Sequence, residues 1–455
     1  MLPNLRPAPR HLLLGAILLG SGLLSSWNIG YAGYSTFYST AARSMSLSWR
    51  ACAFGAFDPG AHMSLDKLAG FLIPQALAAR VFGFHPWAIA LPQVIEGLVT
   101  VLACYLIGRR WRGPAAGLLA AAAAATTPML LSMFGHVMED GLLTMSLALA
   151  FLCWQSAIRR HRWTSLLLCA FWVAIGFQAK MMQAWIILPG LAAGYLIGAP
   201  GPLRRRLVRG LLTGLVALGL SLSWMTAIQL VPAADRPYID GSTNNNIYSM
   251  VFGFNGINRL LPNLVPGAIG DAVNSTRSPT PVTRATGRPL SVPMLPRELA
   301  VPPGKRAAKL VLPYYATQVG WLYPAALAGL LFQALGVARW WRRGRQRLTE
   351  AERARAGTAT ALGLWLVLAA GLLSVANVPH VAYLATIAVQ VAVLAGLGLA
   401  EAAQRLSSGR RIARLALPSL VLAQACWVAV IIIVGRSGPR WLVPTVLMLA
   451  GALAL

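Results

Sequence analysis

The sequence predicts an all-α protein, a polytopic bundle of transmembrane helices that forms a single domain over residues 1–455. Hydrophobic residues make up 57% of the chain and charged residues only 11%, and the mean hydropathy is +0.62. Soluble domains carry about 25% charged residues, so this composition lies outside the globular class. Many apolar runs also approach the length of about 20 residues that a helix needs to cross a bilayer.

Twelve apolar runs predict about twelve spans. The runs cover roughly 11–31, 86–107, 114–133, 140–158, 163–179, 181–199, 210–230, 313–336, 358–376, 380–400, 415–434 and 441–455. A shorter amphipathic run at 70–84 predicts a helix that lies in the membrane interface. Two long outer loops remain, at about 32–85 and 231–312, and the second is rich in Pro, Gly, Asn, Ser and Thr, which predicts an irregular segment.

The net charge of +27 is explained by membrane topology rather than by nucleic acid. Basic residues concentrate in short loops between the apolar runs, for example at 109–112, 159–162 and 204–209. Because cytoplasmic loops are enriched in Lys and Arg, we place these loops and the N-terminus in the cytoplasm. The sequence therefore predicts a multi-pass protein of the bacterial plasma membrane, with membrane lipids and no nucleic acid as partners.

Two lysines stand out because this chain uses Arg almost everywhere else. Only four of its 39 basic residues are Lys. Lys67 follows Asp66 in the first outer loop, and Lys180 ends the fifth predicted span. Both can mark helix ends whose side chains reach the interface. Both can also neutralise a leaving phosphate, which makes them candidate donor-phosphate ligands.

Carboxylates near the mouth of the bundle are the candidate catalytic groups. Asp58 and Asp66 lie in FDPGAHMSLDKLAG, and Glu139 and Asp140 lie in FGHVMEDGLL. Carboxylates near apolar walls cost free energy unless they are paired or used. A carboxylate beside a substrate hydroxyl can act as general base.

Two histidines lie in the same motifs and raise the alternative of a divalent metal. His62 and His136 could form such a site with Asp58, Asp66 and Asp140. Their spacing matches no standard zinc pattern, so we expect no cofactor.

These motifs together resemble glycosyltransferase family 39, which includes protein O-mannosyltransferases and lipid A aminoarabinose transferases of the C-type membrane superfamily. The stretch LDKLAGFLIPQALAARVFGF has the acidic-Lys pair and the R-x-F-G ending of that family. Asp140 at the head of the fourth span and Lys180 at the end of the fifth agree in order. DRPYIDGSTNNNIYSMVFGFNGINRL, within the second outer loop, resembles one bacterial branch. The resemblance covers about residues 30–270.

The chain lacks a carboxylate at the position where the family pattern places its catalytic base. Better-known members have an Asp-Glu pair after span 1, where this chain reads GYSTFYSTAARS. The Pro after the acidic-Lys pair is replaced by Leu68, and Glu139 stands where related members often have Pro. Asp58 and Asp66 are therefore the local candidates for the base, with Asp140 next.

The resemblance implies an inverting transfer of a hexose or pentose from a polyprenyl-phosphate donor to a hydroxyl or phosphate on the outer face. Lys67 and Lys180 would hold the phosphate, Asp58 or Asp66 would take the acceptor proton, and Asp140 would orient the acceptor or the base. The acceptor, a lipid, glycan or secreted protein, would meet a closing loop. The residues predicted to contact the acceptor are Glu139, Arg236, Tyr238, Asn255 and Arg259. Two alternatives are a lipid or solute transporter and a catalytically inactive subunit of an envelope assembly.

Overall fold

The computed structural model describes residues 7–27, 29–30, 37–261, 263–269, 303–342, 348–376, 381–406, 411–435 and 441–454. Most of these residues are helical, and the only β structure among them is three isolated bridges. The predicted all-α class is confirmed. The helices are α1 Pro7–Ser26, α2 Tyr38–Leu47, α3 Trp49–Phe54, α4 Ile73–Phe82, α5 Pro86–Arg112, α6 Pro114–Ala125, α7 Pro128–Met133, α8 Glu139–Arg160, α9 Trp163–Lys180, α10 Leu188–Gly198, α11 Leu203–Leu230, α12 Pro313–Ala316, α13 Tyr323–Arg342, α14 Glu350–Val375, α15 Ala385–Leu406, α16 Arg411–Arg414, α17 Ala416–Gly435 and α18 Leu442–Ala454.

Eight helical stretches in the described ranges are long and apolar enough to cross a membrane. The predicted number of about twelve spans is not confirmed. The run at 114–133 gives a helix of only 12 residues, α6, followed by the short α7. The break falls at Pro128, which has no N–H to continue the helix and disfavours helical geometry in the residue before it.

One apolar stretch, Trp163–Gly198, reverses direction in its middle. α9 ends at Lys180, Met181 has a φ of +46°, and a 3-10 turn over Met181–Ile187 leads into α10. The two ends of the stretch lie on one side of the bundle, because Gly198 lines the same cavity as His161. The separate runs predicted at 163–179 and 181–199 therefore correspond to two antiparallel helices.

The core of the bundle is built around α15. This helix is buried over 89% of its apolar window and packs against α5, α6 and α13. A Cβ at Gly396 would lie 2.5 Å from the amide nitrogen of Ala120, so glycine is what allows α15 to approach α6. Small residues are the usual means of helix association within a bilayer, where lipid tails leave little hydrophobic drive between helices.

The helix ends divide into two chemically different faces. On the basic face, Arg110 donates to the Ser156 hydroxyl at 2.7 Å, and Arg112 pairs with Glu401 at 2.8 Å. Glu139 begins α8 at the other face, which we call the acidic face. The 22 residues of α8 separate the faces by about 32 Å, the length of a membrane span. Which face is cytoplasmic remains a prediction from the charge pattern.

Both predicted outer loops contribute to the acidic face. In the first, α2 and α3 precede α4, the short helix predicted at 70–84. In the second, the described residues from 231 to 269 have only a π-helical turn, Ser249–Phe254, and a 3-10 turn, Ile257–Arg259. The prediction of an irregular segment agrees with these residues, while 270–302 lie outside the described ranges.

Candidate active site

Two antiparallel helices bring carboxylates and a lysine together at the acidic face. Glu139 and Asp140 form the first turn of α8, and Lys180 forms the last turn of the neighbouring α9. A helix favours anions at its N-terminus and cations at its C-terminus, so both ends suit their charges. Surface helices also place charges this way, but here all three side chains are buried.

The three side chains form a compact ionic cluster. Lys180 Nζ lies 2.5 Å from Asp140 Oδ2 and 3.5 Å from Glu139 Oε1, and the lysine side chain is only 6% exposed. The Tyr383 ring covers the same ammonium, with its centroid 3.8 Å from Nζ. Lys180 therefore neutralises two buried carboxylates and packs against an aromatic ring.

The first outer loop adds Asp66 and Lys67 to this cluster. These residues precede a 3-10 turn, Gly70–Leu72, that lies against the end of α9. A Cβ at Gly70 would lie 2.6 Å from the Cβ of Gln178, so only glycine permits this approach. As a result, Lys67 Nζ lies 3.8 Å from Glu139 Oε1 and 3.6 Å from Asp66 Oδ1.

Tyr38 completes the surroundings of Lys67. Lys67 Nζ donates to the Tyr38 hydroxyl at 3.1 Å. Burial alone would lower the pKa of Lys67, but Glu139, Tyr38 and Asp66 together raise it above its ordinary value. Burial and Glu139 raise the pKa of Tyr38. Lys67 therefore stays charged and Tyr38 stays protonated across the physiological pH range.

Asp66 is the carboxylate of the cluster with the greatest access to a substrate. Its side chain is 20% exposed, against 8% for Glu139, and its Oδ1 accepts no hydrogen bond from the described residues. Burial raises the pKa of Asp66, Lys67 lowers it, and Asp240 and Glu139 raise it further. The net effect is a raised pKa, which makes Asp66 a stronger base than an exposed aspartate.

An apolar cavity opens beside the cluster. It has a volume of about 320 Å³, with walls that include Trp185, Ile186 and Leu373. Tyr383, which covers Lys180, and Arg259 also line it.

The second outer loop connects this cavity to Asp66. Asn255, which lines the cavity, donates from its side-chain amide to the backbone carbonyl of Asp66. Arg259 Nη2 in turn donates to Asn255 Oδ1 at 3.3 Å. The loop thus positions a cation and an amide at the junction between cavity and cluster.

The other predicted catalytic aspartate, Asp58, is bonded elsewhere. Its Oδ1 lies 2.7 Å from His62 Nδ1, and that imidazole is 87% exposed. Slight burial would raise the pKa of Asp58, but hydrogen bonds from the ring and backbone of His62 and from Met63 N–H lower it. No salt bridge or hydrogen bond joins Asp58 to the cluster in the part of the chain that is described.

The residues of the metal alternative do not converge. His136 Nδ1 bonds to the Ser132 carbonyl at 2.7 Å, while His62 is bonded to Asp58. Among the described residues, no three His, Cys, Asp or Glu side chains are arranged as metal ligands. The absence of a cofactor stays a prediction.

Two predicted acceptor contacts belong to the framework of the second outer loop. Arg236 donates to the backbone carbonyls of Gln229, Val231 and Asn245. Tyr238 donates from its hydroxyl to the Ser242 carbonyl, and its backbone pairs with the strand-like segment after His62. Their role as acceptor ligands stays a prediction, and their contacts explain how the loop is held against the first one.

Sequence reasoning missed two tyrosines of the site, Tyr38 and Tyr383. Tyr38 could have been identified from the sequence, since it lies in GYSTFYSTAARS, the segment where the resembled family is expected to have its acidic pair. Tyr383 had none, because its short 3-10 turn, Val381–Leu384, reaches Lys180 only through the packing of the bundle.

Known proteins resemble this chain in both sequence and fold. A family model described as dolichyl-phosphate-mannose-protein mannosyltransferase matches residues 70–226. YkcB of Bacillus subtilis, a candidate mannosyltransferase, is 34% identical over 250 residues, which are 55% of this chain and 35% of YkcB. An undecaprenyl phosphate-alpha-4-amino-4-deoxy-L-arabinose arabinosyl transferase of Pseudomonas paraeruginosa is 28% identical over 158 residues, 34% of this chain and 29% of that protein. The matched stretches thus span about a third of the curated relatives.

Solved structures share the fold at low sequence identity. ArnT from Cupriavidus metallidurans, bound to undecaprenyl phosphate, aligns with a TM-score of 0.55 at 14% identity, over 99% of this chain and 76% of that one. The Archaeoglobus fulgidus oligosaccharyltransferase aligns with a TM-score of 0.54 at 15% identity, over 98% and 56% of the two chains. The chain therefore shares its fold with these two proteins.

Proposed function

We propose that this chain is a member of glycosyltransferase family 39 and transfers a sugar from a polyprenyl-phosphate donor to an acceptor hydroxyl at the acidic face. The observation that carries the proposal is the junction of an apolar cavity with a buried cluster of lysines and carboxylates. A lipid-linked phosphate needs this combination, an apolar surface for the tail and fixed cations for the phosphate. We place this face on the outer side of the membrane.

Lys67 and Arg259 are the cations available to the donor phosphate. Arg259 lines the cavity through which the lipid would enter, and Lys67 adjoins Asp66 at the open side of the cluster. Lys180 is occupied by Asp140 and Glu139, so it acts on the phosphate through the carboxylates and Lys67 that it helps to position. This differs from the predicted direct contact of Lys180 with the phosphate.

The bond changes follow from this placement. The acceptor oxygen attacks the anomeric carbon from the side opposite the phosphate, so the configuration inverts. The bond between that carbon and the phosphate oxygen breaks, and its electron pair leaves on the phosphate beside Lys67 and Arg259. Asp66 takes the acceptor proton. Fixed cations where negative charge develops, and a positioned base, are the contributions that such a transfer requires.

A binding and transfer experiment tests this function. Arg259→Gln is expected to weaken polyprenyl-phosphate binding about tenfold, because a charge-assisted hydrogen bond is lost. Quenching of protein fluorescence, to which Trp185 in the cavity contributes, measures the binding. The matched control is Arg50→Gln, since Arg50 donates to the Asp235 carbonyl at the loop edge and does not line the cavity. The purified protein is then incubated with labelled mannose or aminoarabinose donors and with membranes that lack the chain as the source of acceptor, and the label is followed into lipid, glycan and protein.

Three results would contradict the proposal. Equal binding of polyprenyl phosphate by Arg259→Gln and the wild-type protein would contradict the proposed donor site. Donor binding without movement of label to any acceptor would favour the inactive envelope subunit. Label that crosses proteoliposomes on an unchanged donor would favour the transporter.

The pH dependence of transfer should report the surroundings of Asp66. The base must be ionised, so the rate falls as pH drops through its raised pKa. Because Asp240 contributes to that rise, Asp240→Asn is expected to move the acid limb of the rate profile to lower pH. The amide keeps the oxygen that accepts from the Gly241 N–H, so the loop geometry is preserved. The limb in the control variant Asp58→Asn should stay in place, and an acid limb that does not move in Asp240→Asn would contradict the assignment of the base to Asp66.

A further inference from the structure

A second polar cavity lies on the basic face, at the end of the bundle opposite the candidate active site. It has a volume of about 370 Å³ and lies between the ends of α5, α8 and α10 and the start of α14. Its size falls within the range of small-molecule sites. The length of α8 separates it from Glu139 by about 30 Å, so it is not part of the donor site.

The cavity carries an excess of positive charge. Arg110, Arg159, Arg353 and Arg355 line it, against the single carboxylate of Glu350. No acidic side chain in the described ranges forms a salt bridge with any of these four arginines, and Glu350 lies 3.8 Å from His161 instead. Four arginines that outnumber one carboxylate and form no salt bridge with a described residue give this cavity the charge that an anion requires.

Two buried polar groups in the wall have no partner in the protein. Trp111 is 4% exposed and its indole N–H donates to nothing among the described residues, while Gln155 is 2% exposed and its Oε1 accepts nothing. An indole offers only a donor and an amide oxygen only an acceptor. Buried polar atoms are costly when left unpaired. A ligand that both accepts and donates hydrogen bonds would therefore pair with the Trp111 N–H and with Gln155 Oε1.

We propose that this cavity binds the phosphoglycerol headgroup of an anionic phospholipid. The arginines and the Trp111 N–H donate to the phosphate oxygens, and Gln155 Oε1 accepts a bond from a glycerol hydroxyl. The cavity opens at the start of α14, a helix that is buried over only 39% of its apolar window and therefore has a lipid-facing side. A headgroup can therefore enter with its acyl chains remaining in the bilayer, and basic pockets between helix ends are known to hold such headgroups.

Lipid retention by the purified full-length chain tests this site. Phosphatidylglycerol and phosphatidylcholine with the same acyl chains are added in detergent, and bound lipid is counted by native mass spectrometry. The wild-type protein should retain one phosphatidylglycerol in preference to phosphatidylcholine. The double variant Arg159→Gln/Arg353→Gln should bind it at least about tenfold more weakly. Trp111→Phe, which keeps a six-membered aromatic ring and removes the indole N–H, should also lower retention.

The control is Arg204→Gln, an exposed arginine at the start of α11 that does not line the cavity. It should retain lipid like the wild-type protein. An equal loss in this control would mean non-specific attraction to a basic surface and would overturn the site. Equal retention of the two lipids by the wild-type protein would do the same. Inorganic phosphate or glycerol phosphate that displaces the lipid at millimolar concentration would overturn the lipid assignment in favour of a soluble ligand. If the double variant does not fold, Trp111→Phe decides.

Discussion

Asp66→Asn is expected to lower sugar transfer by about 10²–10⁴-fold, the usual contribution of a general base. The amide has nearly the same shape as the carboxylate but cannot take the acceptor proton. Donor binding should be preserved, because removal of a negative charge beside Lys67 leaves that cation available to the phosphate. Transfer is measured with labelled donor, and binding is measured separately with polyprenyl phosphate.

Asp58→Asn is the matched control for this variant. Asp58 lies in the same loop but is bonded to the exposed His62, outside the cluster. Its amide variant should therefore transfer sugar at close to the wild-type rate. The assignment would be reversed if Asp58→Asn lost transfer while Asp66→Asn kept it. A loss of donor binding in Asp66→Asn would instead make Asp66 a positioning residue for Lys67.

Lys180→Met should have the largest effect on stability of any single change at the site. It removes the cation that pairs with both Asp140 and Glu139 and leaves two adjacent buried carboxylates, with Lys67 near Glu139 alone. Loss of one partner from a buried ion pair costs about 3–5 kcal/mol. We therefore expect a lower melting temperature together with loss of transfer. A thermal denaturation assay in detergent measures the first effect.

A double variant separates the stability effect from the catalytic one. Lys180→Met/Asp140→Asn removes a full ion pair, so much of the lost stability should return while transfer stays low. Lys309→Met is the control for removal of a buried lysine. Lys309 donates to the Ala376 carbonyl and forms no salt bridge with a described residue, and burial together with Arg306 lowers its pKa to about 8. Its loss leaves no carboxylate unpaired and should destabilise the protein less. An equal loss in both single variants would contradict the ionic role of Lys180.

Much of the candidate site could be predicted because its parts have local causes. Glu139 and Asp140 begin a helix and Lys180 ends one, positions that follow from charge at helix ends and from the apolar runs between them. The order of these runs also places all three at one face. Asp66 and Lys67 were recognisable from the acidic-Lys pair and the short amphipathic helix that follows it.

The choice between Asp58 and Asp66 could not be made from the sequence. The two residues are eight positions apart in one polar loop, with the same chemistry and no periodic structure between them. Packing separates them, because Gly70 allows the loop to lie against α9 and carries Asp66 into the cluster. Asp58 is left at the surface beside His62.

What the sequence by itself determined is the class of the molecule, an apolar helical bundle with basic residues at one face and carboxylates and lysines at the other. Hydropathy and charge act over a few residues and so can be read along the chain. Only the tertiary structure decided which side chains meet, including Tyr38 with Lys67, Tyr383 with Lys180, and Trp111 and Gln155 in one cavity. The most distant of these contacts joins segments about two hundred residues apart, and close packing of helices, rather than any local pattern, determines which of them touch.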